Sequence, residues 1–208
     1  MKIISHRGYW KTNQEKNTLQ AFIRSFEFGF GTETDIRDFD GKLVISHDIP
    51  NKDSICITKF FECLNGRELP LALNIKADGL RDLLVKEIIN YNIKNAFVFD
   101  MSVPDQKHYL NQSVVSVYTR MSEHERSPVF YKESDGIWLD SFSHLWFKED
   151  EIMQMLLDKK KICIVSPELH KRNHIEFWKT LKESDIYNSE NIILCTDLPV
   201  DACKFFKE

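Results

Sequence analysis

Apolar residues recur along the chain in short β-branched or aromatic runs: KIIS from residue 2, TETDI from 32, LVIS from 43, LALNI from 71, AFVF from 96, VVSVY from 114, GIWL from 136, KICIVS from 161 and NIILC from 191. Between the runs the apolar period lengthens to that of helices. Leu19, Phe22, Ile23 and Phe26 fall on one helical face, as do Leu80, Leu83, Leu84 and Ile88, and as do Ile152, Met155 and Leu156. Acidic Glu149–Glu151 opens the last of these helices and Lys159–Lys161 closes it, the sense that the helix dipole favours. Short strands alternating with helices predict a parallel sheet. Eight or nine runs in 208 residues predict an α/β fold of the (β/α)8 TIM-barrel kind, at the short end of that fold's range of roughly 200 to 400 residues. A doubly wound open sheet is the alternative, but it wants a glycine-rich loop after the first strand, and SHRGYWKTNQ has one glycine. The runs at 32–37 and 43–47 lie close enough around DFDG to be either a hairpin or two successive barrel strands.

No Ser/Gly/Pro-rich linker or low-complexity tract divides the chain, so residues 1–208 read as one domain. With 42% hydrophobic residues it can bury a full core. A net charge of -4, with 28 basic residues scattered among 32 acidic ones, gives no general attraction to nucleic acid. Five cysteines without a C-x-x-C pair point away from a disulfide framework and from a zinc knuckle, and toward a reducing, cytoplasmic setting. MKIISHRGYW lacks the apolar region of a signal peptide, and no apolar run approaches membrane-spanning length, so a soluble protein is expected.

In a parallel barrel the chemistry lies at the carboxyl ends of the strands. Here those ends are polar: His6 and Arg7 on the first run, Glu33 and Asp35 on the second, His47 and Asp48 on the third, Asn74 and Lys76 on the fourth, and Asp100, Arg120, Asp140, Glu168 and Asp197 later. Glu33 and Asp35, two apart on a strand, project to one side as like charges. Inside a closed barrel such a pair needs a metal or cations beside it. Two carboxylates and a third oxygen suit Mg2+ or Ca2+, and the lack of a His/Cys cluster argues against zinc. His6 and His47 are then free to exchange protons, while Arg7 and Lys76 supply positive charge. That combination points to cleavage of a phosphate ester.

At this point the chain resembles the glycerophosphodiester phosphodiesterases, relatives of the phosphatidylinositol-specific phospholipases C. The resemblance rests on SHRG at 5, EKNTLQAF at 15, GTETDI at 31, DGKLVISHD at 40, LNIK at 73 and TDLP at 196, in the family's order and spanning the chain. It implies His6 and His47 as the acid/base pair, Arg7 on the phosphate, Glu33 and Asp35 as metal carboxylates and Lys76 as the active-site lysine. It implies in turn a metal-dependent phosphodiesterase that converts a glycerophosphodiester-like substrate to a phosphomonoester and an alcohol. Asn74 stands where the family has its third acidic ligand, which keeps an oxygen donor but removes a charge. Lys16 is extra within the family's E-N-T, displacing Glu15. The 49–70 segment is short for the family, implying an open, shallow site. Two residues outside the motifs carry separate expectations: Glu168 either faces the site, replacing the lost carboxylate or touching the leaving group, or is a loop residue; Trp138 either stacks on a sugar or glycerol or packs in the core. The alternative function is a degenerate relative that binds a phosphorylated glycerol or glycan without cleaving it. Lyase chemistry on a choline-type diester is a third possibility, but the relatives that perform it are secreted and disulfide-bonded.

Overall fold

The computed structural model describes residues 1–207. In chain order its elements are β1 (Lys2–His6), α1 (Leu19–Glu27), β2 (Gly31–Phe39), β3 (Lys42–Ile45), β4 (Ile55–Cys56), α2 (Ile57–Glu62), β5 (Leu71–Ile75) and α3 (Arg81–Asn90). They continue through β6 (Ala96–Phe99), α4 (Val103–Tyr109), β7 (Ser116–Met121), β8 (Gly136–Leu139), α5 (Glu149–Leu157), β9 (Lys161–Val165), α6 (Ile175–Glu183), β10 (Ile192–Thr196) and α7 (Pro199–Lys207). Parallel pairing runs β1-β2-β5-β6-β7-β8-β9-β10 and returns to β1, closing a (β/α)8 TIM barrel.

The LVIS run is not a barrel strand. β3 pairs antiparallel with the outer half of β2, from Phe39↔Lys42 to Ile36↔Ile45. The connection between them is Asp40-Gly41, both left-handed at φ 50 and 69. Positive φ at both central residues is the two-residue hairpin turn whose twist matches the strands, and so short a link cannot make a parallel crossover. The short β4 adds to the outside of β3. α2 then buries Ile57, Phe60 and Phe61 against Phe22 and Phe26 of α1, so the 49–70 segment packs on the barrel's flank.

The helical faces form with small shifts. α1 buries Phe22 and Phe26 but leaves Ile23 41% exposed, and α3 buries Leu84 and Ile88 while Leu83 is 40% exposed. Thr18 caps α1, its hydroxyl accepting the Ala21 N–H at 3.3 Å. The lysine run does not serve the α5 dipole as expected: Lys160 is buried, and its ammonium donates to the carbonyls of Lys132 and Ser134 at 3.0 and 2.6 Å.

Inside the barrel, alternate residues point inward and form layers. Phe97 stacks on Tyr118 and Phe99 on Trp138, each pair with centroids 3.9 Å apart. Gly136 makes room for this floor, since a Cβ there would lie 2.5 Å from the Tyr118 ring. Above it, toward the carboxyl ends, the inward positions turn polar.

Candidate active site

β2 supplies the pair of acids. His6 of β1 is in register with Glu33, and Asn74 of β5 with Asp35, so the three strands bring these four side chains to one rim of the barrel. Glu33 is 2% and Asp35 0% exposed. Burying two carboxylates side by side costs several kcal/mol per ion unless partners offset it. Asp35 has three: Arg7 Nε at 3.0 Å, Lys76 Nζ at 3.4 Å, and the Asn17 amide, which donates at 2.9 Å.

The SHRG stretch forms a left-handed turn that aims Arg7 at this acid. Arg7 and Gly8 have φ 59 and 84, and Asn17, at φ 58, donates its backbone N–H to the Arg7 carbonyl at 3.0 Å. Gly8 is needed on two counts: its φ, and Ala21, whose Cβ would sit 2.7 Å from an added Cβ. Asn17 is therefore a brace between this turn and Asp35; the cap is Thr18. Glu15 takes no part in the site. It accepts the Lys11 N–H and pairs with Arg24 at 2.7 Å.

Glu33 has no comparable support. His6 Nε2 lies 3.8 Å from its Oε2. Burial first, and the Asp35 charge second, push the Glu33 carboxyl well above the usual range. Burial also pulls the His6 imidazole down, outweighing the opposing pull of Asp197. His6 Nδ1 lies 2.7 Å from Asp197 Oδ1. A carboxylate there accepts the Nδ1–H, which fixes the tautomer and leaves the Nε2 lone pair facing Glu33.

Among the buried oxygens that have no hydrogen-bond partner are Glu33 Oε2, Asp35 Oδ1 and Asn74 Oδ1. They belong to the three residues expected to hold a cation, and unsatisfied buried acceptors from two carboxylates and an amide fit a hard, oxygen-seeking divalent ion. With the amide in the third place, no three His, Cys, Asp or Glu side chains among the described residues gather as a ligand cluster.

Other expected residues lie elsewhere. Glu168 is occupied within the fold: its carboxylate accepts from the Ser166 and Thr196 hydroxyls and from the Asp197 N–H at 3.2 Å. It thus steadies the segment that holds His6 and has no oxygen to spare for a metal or leaving group. Trp138 is 5% exposed and stacked on Phe99, so it belongs to the barrel floor and cannot stack on a sugar. The His47 side chain is 47% exposed and its imidazole pairs with exposed Asp48 at 2.9 Å, outside the buried cluster. Its backbone is nevertheless anchored at the rim, because the preceding Ser46 N–H donates to the Asp35 carbonyl at 3.0 Å.

Asp197 and Asn17 are the residues whose roles sequence reasoning missed. Asp197 ends the last strand run, and barrel closure alone predicts that β10 lies beside β1; that was the available signal. Asn17 lies within the EKNT stretch, but its contact with Asp35 depends on a turn.

No family model and no curated protein matches the chain. Solved structures do. A glycerophosphodiester phosphodiesterase from Agrobacterium tumefaciens str. C58 superposes with a TM-score of 0.74 at 14% identity, over 100% of both chains. An Oleispira antarctica phosphodiesterase in complex with the product sn-glycerol-3-phosphate gives 0.72 at 13% identity, over 100% of this chain and 97% of that one. The tryptophan synthase α-subunit of Pyrococcus furiosus, another barrel, gives 0.58 at 14% identity over 99% and 94%. Likeness at these identities establishes the fold.

Proposed function

We propose that the chain is a metal-dependent phosphodiesterase that hydrolyses a glycerophosphodiester-like substrate to a phosphomonoester and an alcohol. The observation that carries this reading is the trio of oxygens without hydrogen-bond partners on Glu33, Asp35 and Asn74 beside His6, whose Nδ1 lies 2.7 Å from Asp197 Oδ1. The order of the sequence motifs supports it, and so does the higher structural similarity to the phosphodiesterases than to the tryptophan synthase subunit. Glu33, Asp35 and Asn74 would hold Mg2+ or Ca2+. When bound, such an ion supplies a Lewis acid that offsets charge developing on the phosphoryl oxygens.

His6 Nε2 takes the proton from the attacking hydroxyl, either water or a neighbouring hydroxyl of the substrate, and Asp197 stabilises the imidazolium so formed. Arg7 and Lys76 hold the phosphoryl oxygens, positioned by their shared contact with Asp35. His47, held at the rim through Ser46, returns a proton to the departing alkoxide. The whole chain acts as one catalytic domain in a reducing cytoplasm, in keeping with its unpaired cysteines. Among the described residues no helix is long and apolar enough to cross a membrane.

Asn74 favours a second reading, a binder of phosphorylated glycerol or glycan without turnover, because the amide removes one of the charges that would hold the ion. A panel of phosphodiesters assayed with Mg2+, Ca2+ or chelator, alongside His6→Ala, His47→Ala and Glu33→Ala, separates the two. We expect chelator-sensitive turnover and a 100-fold or greater loss in His6→Ala, roughly the worth of a general base. Activity indifferent to chelator and to both histidine changes would refute the mechanism, and metal-dependent binding without product would leave the binder.

A further inference from the structure

Asp100 directly follows β6, the strand beside β5, and Phe99 of β6 is in register with Asn74. The two Asp100 oxygens go to different partners: Oδ2 accepts the Asn74 side-chain N–H at 3.3 Å, and Oδ1 lies 3.1 Å from Arg120 Nη1. Arg120 is held in turn, with Nε 3.5 Å from Glu125 Oε2. Glu125 is brought back beside the end of β7 by a tight turn, in which Ser122 and Glu125 exchange backbone hydrogen bonds at 3.3 and 3.1 Å. Asp100 itself is left-handed at φ 67, a conformation that aspartate tolerates better than most residues. The series Glu125, Arg120, Asp100 thus ends on one atom of the proposed ion site, the amide nitrogen of Asn74.

We infer that Asp100 is a positioning residue for the ion: by taking the Asn74 N–H it turns the amide so that Oδ1, and not the nitrogen, is left for the cation. The inference rests on the metal-dependent reading and adds a residue to it. An amide, unlike a carboxylate, has one end that accepts and one that donates, and only the accepting end can bind a cation. Among the described residues no other hydrogen bond fixes which end Asn74 presents, since Oδ1 has no partner. Turned over, the amide would set Oδ1 against Asp100 Oδ2, two acceptors facing each other, and would offer its N–H protons to the ion. The ion pair with Arg120 uses Asp100 Oδ1 and leaves Oδ2 for this task. The same contact suits an amide at position 74, because a carboxylate there would place a like charge against Asp100.

The test measures Ca2+ and Mg2+ affinity by calorimetric titration of the full chain in the wild type, Asp100→Asn, Asn74→Asp and the double variant. Asparagine matches aspartate in size and also visits left-handed φ, so Asp100→Asn preserves the turn. The substituted amide can accept from Asn74 or donate to it, so the orientation is no longer enforced and ion affinity should fall about 10- to 100-fold. In the Asn74→Asp background position 74 has no end to choose, and adding Asp100→Asn should leave affinity unchanged or raise it. A side chain that only held the fold together would cost both backgrounds alike. Affinity unaltered by Asp100→Asn, or an equal loss in both backgrounds, overturns the inference and leaves the phosphodiesterase reading standing. A second readout needs neither ion nor substitution: in the chelated wild type one of the Asn74 side-chain N–H resonances should lie downfield and exchange slowly with solvent. If neither ion binds the wild type, the metal-dependent reading falls and these resonances decide alone. Rapidly exchanging protons then overturn the positioning, and a protected one that Asp100→Asn releases upholds the orientation of Asn74 by Asp100.

Discussion

Replacing Glu33 with glutamine should stabilise the metal-free protein, increasingly so as the pH rises. The side chain is 2% exposed and Oε2 has no hydrogen-bond partner, so burial and the Asp35 charge hold its carboxyl protonated far above the usual range. In the unfolded chain the same group ionises near pH 4.3. Folding therefore takes up one proton at any pH between the unfolded and the raised value. Stability is full below the unfolded value and falls as pH rises toward the folded one, by about 1.4 kcal/mol per pH unit for one proton. Glutamine is isosteric and has nothing to ionise, so that slope vanishes. For a chain of this size 1 kcal/mol shifts Tm by about 2–4 °C, and the Tm gap between variant and wild type should widen by about 3–5 °C per pH unit above pH 5. Thermal and urea unfolding at half-unit steps from pH 5 to 8, in chelator, measure this directly; other titrating groups contribute equally to both proteins and cancel. Adding Mg2+ or Ca2+ should raise Tm more in the wild type than in Glu33→Gln, since glutamine keeps an oxygen donor but removes a charge that would hold the ion. Parallel pH profiles for the two chelated proteins would refute the argument.

Asp197→Asn should lower kcat by about 100-fold or more with little change in KM, because the His6 tautomer is no longer enforced. The acid limb of the rate profile should also move to lower pH, since Asp197 is what raises the His6 pKa against the larger effect of burial; an unshifted limb in a pH series would contradict this. Asp35→Ala should cost about 3 kcal/mol in urea unfolding, the partly exposed Arg7 and Lys76 tempering the loss of a buried ion-pair partner. Gly31→Ala puts a Cβ 2.0 Å from the Pro70 carbonyl oxygen and 2.9 Å from Ile4 Cγ2, where β1, β2 and β5 meet. A loss of about 3 kcal/mol, or roughly 6–12 °C in Tm, is expected by calorimetry.

Local pattern was enough for the strands, because each barrel strand is buried on both sides and so reads as a short apolar run whatever its neighbours are. The inward acids Glu33 and Asp35 were legible for the same reason: alternation by two is a property of the strand itself. The LVIS run resembled the others, yet its place in an antiparallel hairpin follows from two left-handed residues, Asp40 and Gly41, whose turn sets the direction of the chain. Trp138 and Glu168 were ambiguous in sequence because a side chain at a strand end serves floor, brace or site according to what stands across from it. Phe99 across from Trp138, and Thr196 beside Glu168, decided those cases. The sequence alone thus determined the barrel and which side of β2 carries charge, both consequences of periodicity along one strand. Only the tertiary structure decided which imidazole is locked, through Asp197 some 191 residues away, and which oxygens are left without partners. Those depend on distances between strands that barrel closure alone brings together.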